Sequence, residues 1–195
     1  MFKSKQKQCV DKIEAAGHKI SKEQVIHAWH VPKNGTSEMP KPRAEHMWLE
    51  TGGEKAGYTH VVKKHGNDFA NQGLPPDQQS RRLPELMEAS TTVGRHIGYT
   101  RKGGRPVMAV YMEQDQQVRR TGITVGNNGF IVGMNPIDPA RVKRSPNGPS
   151  EVSDRTMANL YHYPPNTPER RNNHAQSRPA QVPMPQPHKH PTFRW

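Results

Sequence analysis

Two histidines on one short segment are the strongest candidates for chemistry in this sequence. His60 and His65 lie five residues apart, with Lys63 and Lys64 between them. Histidine changes its charge near neutral pH and can therefore take or give a proton. Cleavage of RNA without a metal needs a base for the ribose 2′-hydroxyl and positive charge around the phosphate. The segment therefore predicts a phosphate site that can transfer protons.

A helix would sort these side chains onto two faces. Positions three and four apart are neighbours on a helix, so His60, Lys63 and Lys64 would form one polar face opposite Val61. That face could place a proton carrier beside two cations, or it could be an ordinary solvated basic surface. His65 would share the inward face with Val61, where a core histidine is the common interpretation. The residues alone leave both histidines open as the proton carrier.

A second set of candidates follows on a predicted strand and its turn. Thr124 points away from the side of its neighbours Ile123 and Val125, which predicts a polar strand face. Thr124 or Asn128 could hydrogen-bond a phosphate, and Phe130 or Tyr111 could stack on a base. Sheet packing and turn geometry are the alternative explanations for these residues.

A basic loop precedes the first predicted strand. Its three cations are Arg101, Lys102 and Arg105. Because an arginine can grip two phosphate oxygens at once, the loop is a candidate for holding a phosphate. Ordinary solvated charge is the alternative interpretation.

The periodicity of the central region predicts the elements that would position these groups. An apolar repeat of three to four residues predicts helices over 58–70 and 83–92, with Pro84 in the first turn of the second. From Ile97 onward the repeat changes to two. The predicted strands cover 106–111, 117–125 and 130–134, with a tight turn at 126–129. We therefore expect an α+β fold in which N-terminal helices pack on a small antiparallel β-meander.

The first part of the chain differs in composition from this centre. Residues 1–45 are expected to hold short helices, and a capping box that begins at Ser21 would open a helical turn that includes Trp29. The stretch 32–42 has the composition of a linker. The central part, 46–136, is the expected catalytic domain.

The third part, 137–195, holds 11 of the 19 prolines. It is expected to be mostly disordered, apart from a short turn near residues 157–161. Its cations, such as Arg141 and Lys143, could add salt-sensitive RNA affinity or simply keep the tail soluble. A Pro-rich tail could also dock on a carrier protein.

Composition favours a polyanion as the partner. The formal net charge is +12, with 29 Lys and Arg residues against 17 Asp and Glu residues, and this balance favours nucleic acid over a membrane. A solvated basic surface is the alternative. Cys9 is the only cysteine, which excludes an intramolecular disulfide and a thiolate zinc site. We expect no metal and no cofactor, and the lack of an apolar run of membrane length predicts a soluble chain.

Three segments, taken together in their order and spacing, resemble a known group of toxins. They read HVVKKHGNDFANQG at 60–73, GRPV at 104–107 and ITVGNNGFIVGMNP at 123–136. They are similar to the nuclease toxin domains at the C-termini of large bacterial contact-dependent inhibition and filamentous haemagglutinin-type proteins. That broad group includes barnase, the EndoU nucleases and the colicins that cut transfer RNA. The resemblance covers about 80 of the 195 residues.

The resemblance implies a metal-independent endoribonuclease toxin that cuts transfer RNA and leaves a 2′,3′-cyclic phosphate. It includes a histidine at both positions and leaves open which one is the base. Together with the residue analysis, it gives as candidate catalytic residues His60, His65, Lys64 and Thr124. The candidate substrate-binding residues are Lys63, Arg101, Lys102, Arg105, Asn128 and Phe130.

The resemblance also carries expectations about biology. It implies a cognate immunity protein, and export without an N-terminal signal of the chain's own, followed by action in the cytoplasm of a target cell. The alternative prediction belongs to a different class: a non-catalytic basic RNA- or DNA-binding accessory protein.

Overall fold

The computed structural model describes residues 2–32, 38–40, 44–143 and 153–164. Most of the expected linker at 32–42 and most of the expected disordered tail therefore lie outside the described residues. The helices are α1 (Phe2–Ala15), α2 (Tyr58–Asn71), α3 (Pro76–Thr92) and α4 (Asp154–Leu160). The strands are β1 (Val25–His30), β2 (His46–Glu50), β3 (Arg95–Thr100), β4 (Pro106–Met112), β5 (Gln117–Val125), β6 (Ile131–Pro136), β7 (Val142–Lys143) and β8 (His162–Tyr163).

The larger sheet is an antiparallel meander with two short additions. Its strand order is β6-β5-β4-β3-β7, and β8 pairs in parallel with β4. Because α2 and α3 precede the meander in the chain, the predicted α+β architecture is confirmed. The three predicted strands correspond to β4, β5 and β6, and the turn at 126–129 closes the β5–β6 hairpin.

Helices cover both faces of this sheet. On one face, Phe69 of α2 and Leu83 of α3 pack in the main core with Met108 and Ile123 of the strands. On the other face, α4 buries Met157 as part of a smaller apolar cluster. The predicted turn near residues 157–161 is thus a helix that completes the core of the sheet.

The segment after Ser21 is a strand, so the expected helical turn there is wrong. Only a short 3₁₀ turn, Lys22–Gln24, precedes β1, and the Ser21 side chain makes no capping hydrogen bond. The Ser21 backbone N–H instead donates to Glu50 Oε1 at 2.9 Å. Valine, isoleucine and tryptophan favour strands, and β1 pairs with β2 in a separate antiparallel hairpin.

The second predicted helix begins at Pro76 rather than at Leu83. Proline is well suited to the first helical turn because its missing N–H would have no partner there, and Asp77 adds favourable charge at the helix N-terminus. Pro84 therefore lies inside α3 rather than in its first turn. It is buried, so packing offsets the backbone hydrogen bond that it cannot make.

A buried ionic network joins α3 to the β4–β5 turn. Arg82 and Arg119, each with a side chain 7% exposed, both contact the carboxylate of Asp115. Arg82 also lies 3.5 Å from Glu85. Arg119 donates further to the backbone oxygens of Gln72 and Gly73 at the end of α2. The network therefore links α2, α3 and the sheet at one point.

Candidate functional site

The start of α2 is tied to the edge of the meander. The backbone N–H of Gly57 donates to the carbonyl oxygen of Val132 on β6 at 3.0 Å. Gly57 has φ +85, and a β-carbon there would lie 2.9 Å from the Glu50 carbonyl oxygen. Only glycine adopts this conformation at low cost and leaves that space. The sequence therefore fixes the first turn of α2 beside β6.

The same loop orients His60. Nδ1 of His60 lies 2.7 Å from the carbonyl oxygen of Glu54. A carbonyl oxygen only accepts, so Nδ1 must carry the proton in this hydrogen bond. In the neutral ring, Nε2 then has a free lone pair. The imidazole is thus held in the tautomer that a general base with Nε2 as its reactive atom requires.

The His60 ring packs on the backbone of Gly133 in β6. A β-carbon at Gly133 would lie 3.5 Å from Cδ2 and 3.8 Å from Nε2 of His60. Gly133 pairs directly with Thr124 of β5, next to a register shift at Val125. Paired residues of antiparallel strands project from the same face. The Thr124 side chain therefore lies on the face where the His60 ring covers Gly133.

Arg105 lies just before β4, outside the paired strands. The β4–β5 pairing ends at Val107 and Gly122, two residues further into β4. Arg105 is half-buried and is held at this position by its backbone, which exchanges hydrogen bonds with Thr100. Because β4 and β5 are antiparallel, Arg105 lies at the same end of the sheet as Thr124.

Two features of this arrangement were missed by the sequence analysis. Neither Gly133 nor Glu54 was a candidate residue. A glycine inside a strand pattern is a signal for a bulge or a close approach, so Gly133 could have been noticed. The role of Glu54 rests on a backbone carbonyl, which no residue type reveals.

The two lysines of α2 differ in their surroundings. Lys63 Nζ lies 3.2 Å from Glu54 Oε1, and both side chains are largely exposed. Lys64 is exposed and has no ion-pair partner among the residues that the structure describes. It lies one helical turn from His60 on the same face. Lys64 is therefore the cation on this helix that remains available to a ligand.

His65 lies away from this arrangement. Five residues of α-helix rotate a side chain by about 140° and move it about 7.5 Å along the axis. Its Nδ1 lies 3.0 Å from Asp68 Oδ2, and its side chain is 27% exposed. The structure therefore brings His60, and not His65, to the strand pair that carries Thr124.

The other candidates lie in the two turns at the same end of the sheet. Arg101 and Lys102 are exposed in the β3–β4 turn, where Arg101 donates to the Ala140 carbonyl oxygen at 3.3 Å. Asn128 Oδ1 accepts from the Phe130 N–H within the β5–β6 turn. The Phe130 ring lies 5.9 Å from that of Trp48, at a tilted angle. Asn128 and Phe130 thus have structural contacts in the turn, whereas Arg101 and Lys102 face solvent.

Two structural features are absent from the described ranges. Among those residues, no group of three or more His, Cys, Asp or Glu side chains is arranged to hold a metal ion. No helix within them combines the length and apolar character needed to cross a bilayer.

No protein-family model matches the chain, and no curated protein matches it significantly.

Proposed function

We propose that this chain is an endoribonuclease that cuts RNA by attack of a ribose 2′-hydroxyl, with His60 as the general base. One observation carries the proposal. His60 has its Nδ1 held by a backbone carbonyl, and its ring lies over Gly133 on the face that also carries Thr124. The reaction requires such a free imidazole nitrogen as the base, together with hydrogen-bond donors and positive charge at the phosphate.

The reaction uses these groups in defined roles. Nε2 of His60 takes the proton of the 2′-hydroxyl while the 2′-oxygen forms a bond to phosphorus. The bond between phosphorus and the 5′-oxygen breaks, and the departing oxygen takes a proton from Lys64 or from water. The products are a 2′,3′-cyclic phosphate and a 5′-hydroxyl. No metal takes part in this scheme.

Thr124 and Arg105 stabilise the phosphate in this scheme. The Thr124 hydroxyl donates a hydrogen bond to a non-bridging oxygen, and the Arg105 guanidinium supplies fixed charge beside it. Gly133 lets the His60 ring pack against β6, because it has no side chain to push the ring away.

The proposed biological setting follows from the resemblance to bacterial nuclease toxins. Transfer RNA is the proposed substrate, and the proposed place of action is the cytoplasm of a target cell after export. An immunity protein, acidic so that it complements the basic site, would protect the producing cell.

The direct test is incubation of the purified full chain with total RNA in the presence of EDTA. The expected products carry 5′-hydroxyl ends, which accept phosphate from polynucleotide kinase without prior phosphatase treatment, and 2′,3′-cyclic phosphate ends. Intact RNA at high protein concentration would contradict the proposal. Cleavage that disappears only in EDTA would overturn the metal-free mechanism, but it would still support RNA as the substrate.

A non-catalytic RNA-binding protein is the second candidate, and the exposed cations of the β3–β4 turn favour it independently of any histidine. The two functions separate on His60→Ala. The enzyme loses cleavage but keeps RNA binding, whereas a binding protein shows no cleavage in either form.

A further inference from the structure

The structure brings part of the expected tail to the basic β3–β4 turn. The short strand β7 pairs with β3, with Lys143 opposite Tyr99 and Val142 opposite Thr100. Arg141 lies directly before β7 and is exposed, as is Lys143. Two cations from beyond residue 136 therefore lie beside Arg101 and Lys102.

Hydrogen bonds hold the two segments in fixed positions. Thr100 Oγ1 donates to the Lys102 carbonyl oxygen at 2.6 Å and accepts from the Arg105 N–H at 3.1 Å. Arg101 bridges to the second segment through the carbonyl oxygen of Ala140. The backbone that carries these cations is thus ordered before any ligand binds, which lowers the entropic cost of binding.

Within the described ranges, the cations of this surface have no acidic partner. Arg101, Lys102, Arg141 and Lys143, which we call the basic rim, have no carboxylate within ion-pair distance among the described residues. The one acidic residue in the two segments is Asp138, whose carboxylate accepts the Ala140 N–H at 2.8 Å. Four exposed cations without acidic partners produce a positive potential that attracts a polyanion.

The basic rim lies at the same end of the sheet as Thr124. In an antiparallel meander, the β3–β4 and β5–β6 turns close the same end, and β7 is three strands from β5. Neighbouring strands are about 4.8 Å apart, so the rim lies roughly 14 Å from the row of Thr124. A polyanionic chain that passes Thr124 can therefore reach the rim.

We propose that the basic rim is a docking surface for the phosphodiester backbone of RNA on one side of the bond cleaved at His60. It binds phosphates without reading bases, so it contributes affinity and salt dependence rather than sequence specificity. The claim that the rim holds RNA beside the cleaved bond rests on the proposed function. The binding of RNA by the rim does not.

The test compares two double variants with equal loss of charge, each in a His60→Ala background so that RNA stays intact. Arg141→Gln/Lys143→Gln removes two rim cations, and Lys5→Gln/Lys7→Gln removes two exposed cations of α1. Binding of a labelled single-stranded RNA is measured by fluorescence anisotropy from about 50 to about 200 mM salt. The rim variant is expected to bind about tenfold more weakly, with a salt slope shallower by about 1.4. The α1 variant is expected to bind as its parent.

Equal affinities and salt slopes for the two variants would overturn the inference. The inference would also be overturned if the rim variant lost binding to polyglutamate, a probe for an acidic protein partner, while it still bound RNA normally. A protein that binds RNA through the rim but never cleaves it would refute the proposed function and leave this inference intact. If the protein cleaves RNA normally but the rim variant binds RNA as the α1 variant does, this inference is refuted and the proposed function stands.

Discussion

The His60 imidazole covers the backbone of Gly133, with Nε2 3.8 Å from the place where a β-carbon would lie. This contact joins the first turn of α2 to β6, and Gly133 in turn pairs with Thr124 of β5. A residue with a proton to exchange is therefore packed directly against the strand pair that carries Thr124.

A larger side chain at Gly133 should displace His60 and slow cleavage. Gly133→Val adds methyl groups where the His60 ring lies, and displacement of a reacting group by about 1 Å can cost about 10²-fold in rate. Gly133→Ala is the matched control, because its β-carbon would make only an ordinary van der Waals contact. Cleavage rates with labelled RNA, together with circular dichroism to verify folding, make the comparison. A folded Val variant with the wild-type rate would show that the position of His60 over Gly133 does not matter for cleavage.

The Thr124 hydroxyl should act only in the transition state. Thr124→Val keeps the β-branched shape that suits a strand but removes the donor, and loss of one such donor costs about 10²-fold in kcat. Thr124→Ser should restore most of the rate, since it restores the hydroxyl. Steady-state kinetics should show the loss mainly in kcat. A Val variant with unchanged kcat and a raised KM would assign Thr124 to substrate binding alone.

The helix that carries the site could be predicted from local pattern alone. The apolar spacing of Tyr58, Val61 and Phe69 is sufficient for that prediction, and α2 runs over Tyr58–Asn71. The meander was likewise predictable because Gly126–Gly129 is a strong turn signal between alternating strands. Local information thus gave α2, the three strands of the predicted meander and the fold class.

The relationship between elements could not be predicted in this way. The position of His60 over Gly133 depends on the register shift beside Thr124 and on the Gly57 hydrogen bond to Val132, both of which are non-local. The choice between His60 and His65 depends on the same contacts. The strand β1 was missed because its partner β2 begins 16 residues after β1 ends. No local pattern in the sequence indicates that these two segments pair.

The ionic network around Asp115 should contribute strongly to stability. Asp115→Ala leaves the buried guanidinium groups of Arg82 and Arg119 without their shared carboxylate. Loss of one partner of a buried ion pair costs about 3 kcal/mol, which lowers Tm by roughly 6 to 12 °C in a chain of this length. Thermal unfolding followed by circular dichroism measures this shift. Glu14→Gln, which breaks the exposed Lys22 pair, is the control and should leave Tm unchanged.

The β1–β2 hairpin should be sensitive to acid. Burial lowers the pKa of His46 from 6.5, and the nearby His30 and Lys12 lower it further, while Glu45 opposes them. His46 therefore binds a proton less readily in the folded protein than in the unfolded chain. This contribution to stability is fully present above the unfolded pKa of 6.5 and is lost as the pH falls from there through the lower folded pKa.

Urea unfolding at pH 7.5 and pH 5.5 tests the predicted direction of this pH dependence. The free energy of unfolding should be lower at pH 5.5 than at pH 7.5. His46→Gln should make this difference smaller because it removes the titrating group. His96, whose pKa burial also lowers, should account for part of the remaining fall. An equal fall in wild type and His46→Gln would rule out His46 as a source of the acid sensitivity.

The most direct test of the central claim is the rate at which His60→Gln and His65→Gln cut labelled RNA in EDTA, relative to wild type. Both substitutions remove an imidazole from the same helix, so loss of helix stability affects both. The account predicts a loss of about 10² to 10⁴ for His60→Gln, the range expected for a general base, and a rate within a few-fold of wild type for His65→Gln. Full activity of His60→Gln, or a larger loss in His65→Gln, would contradict it.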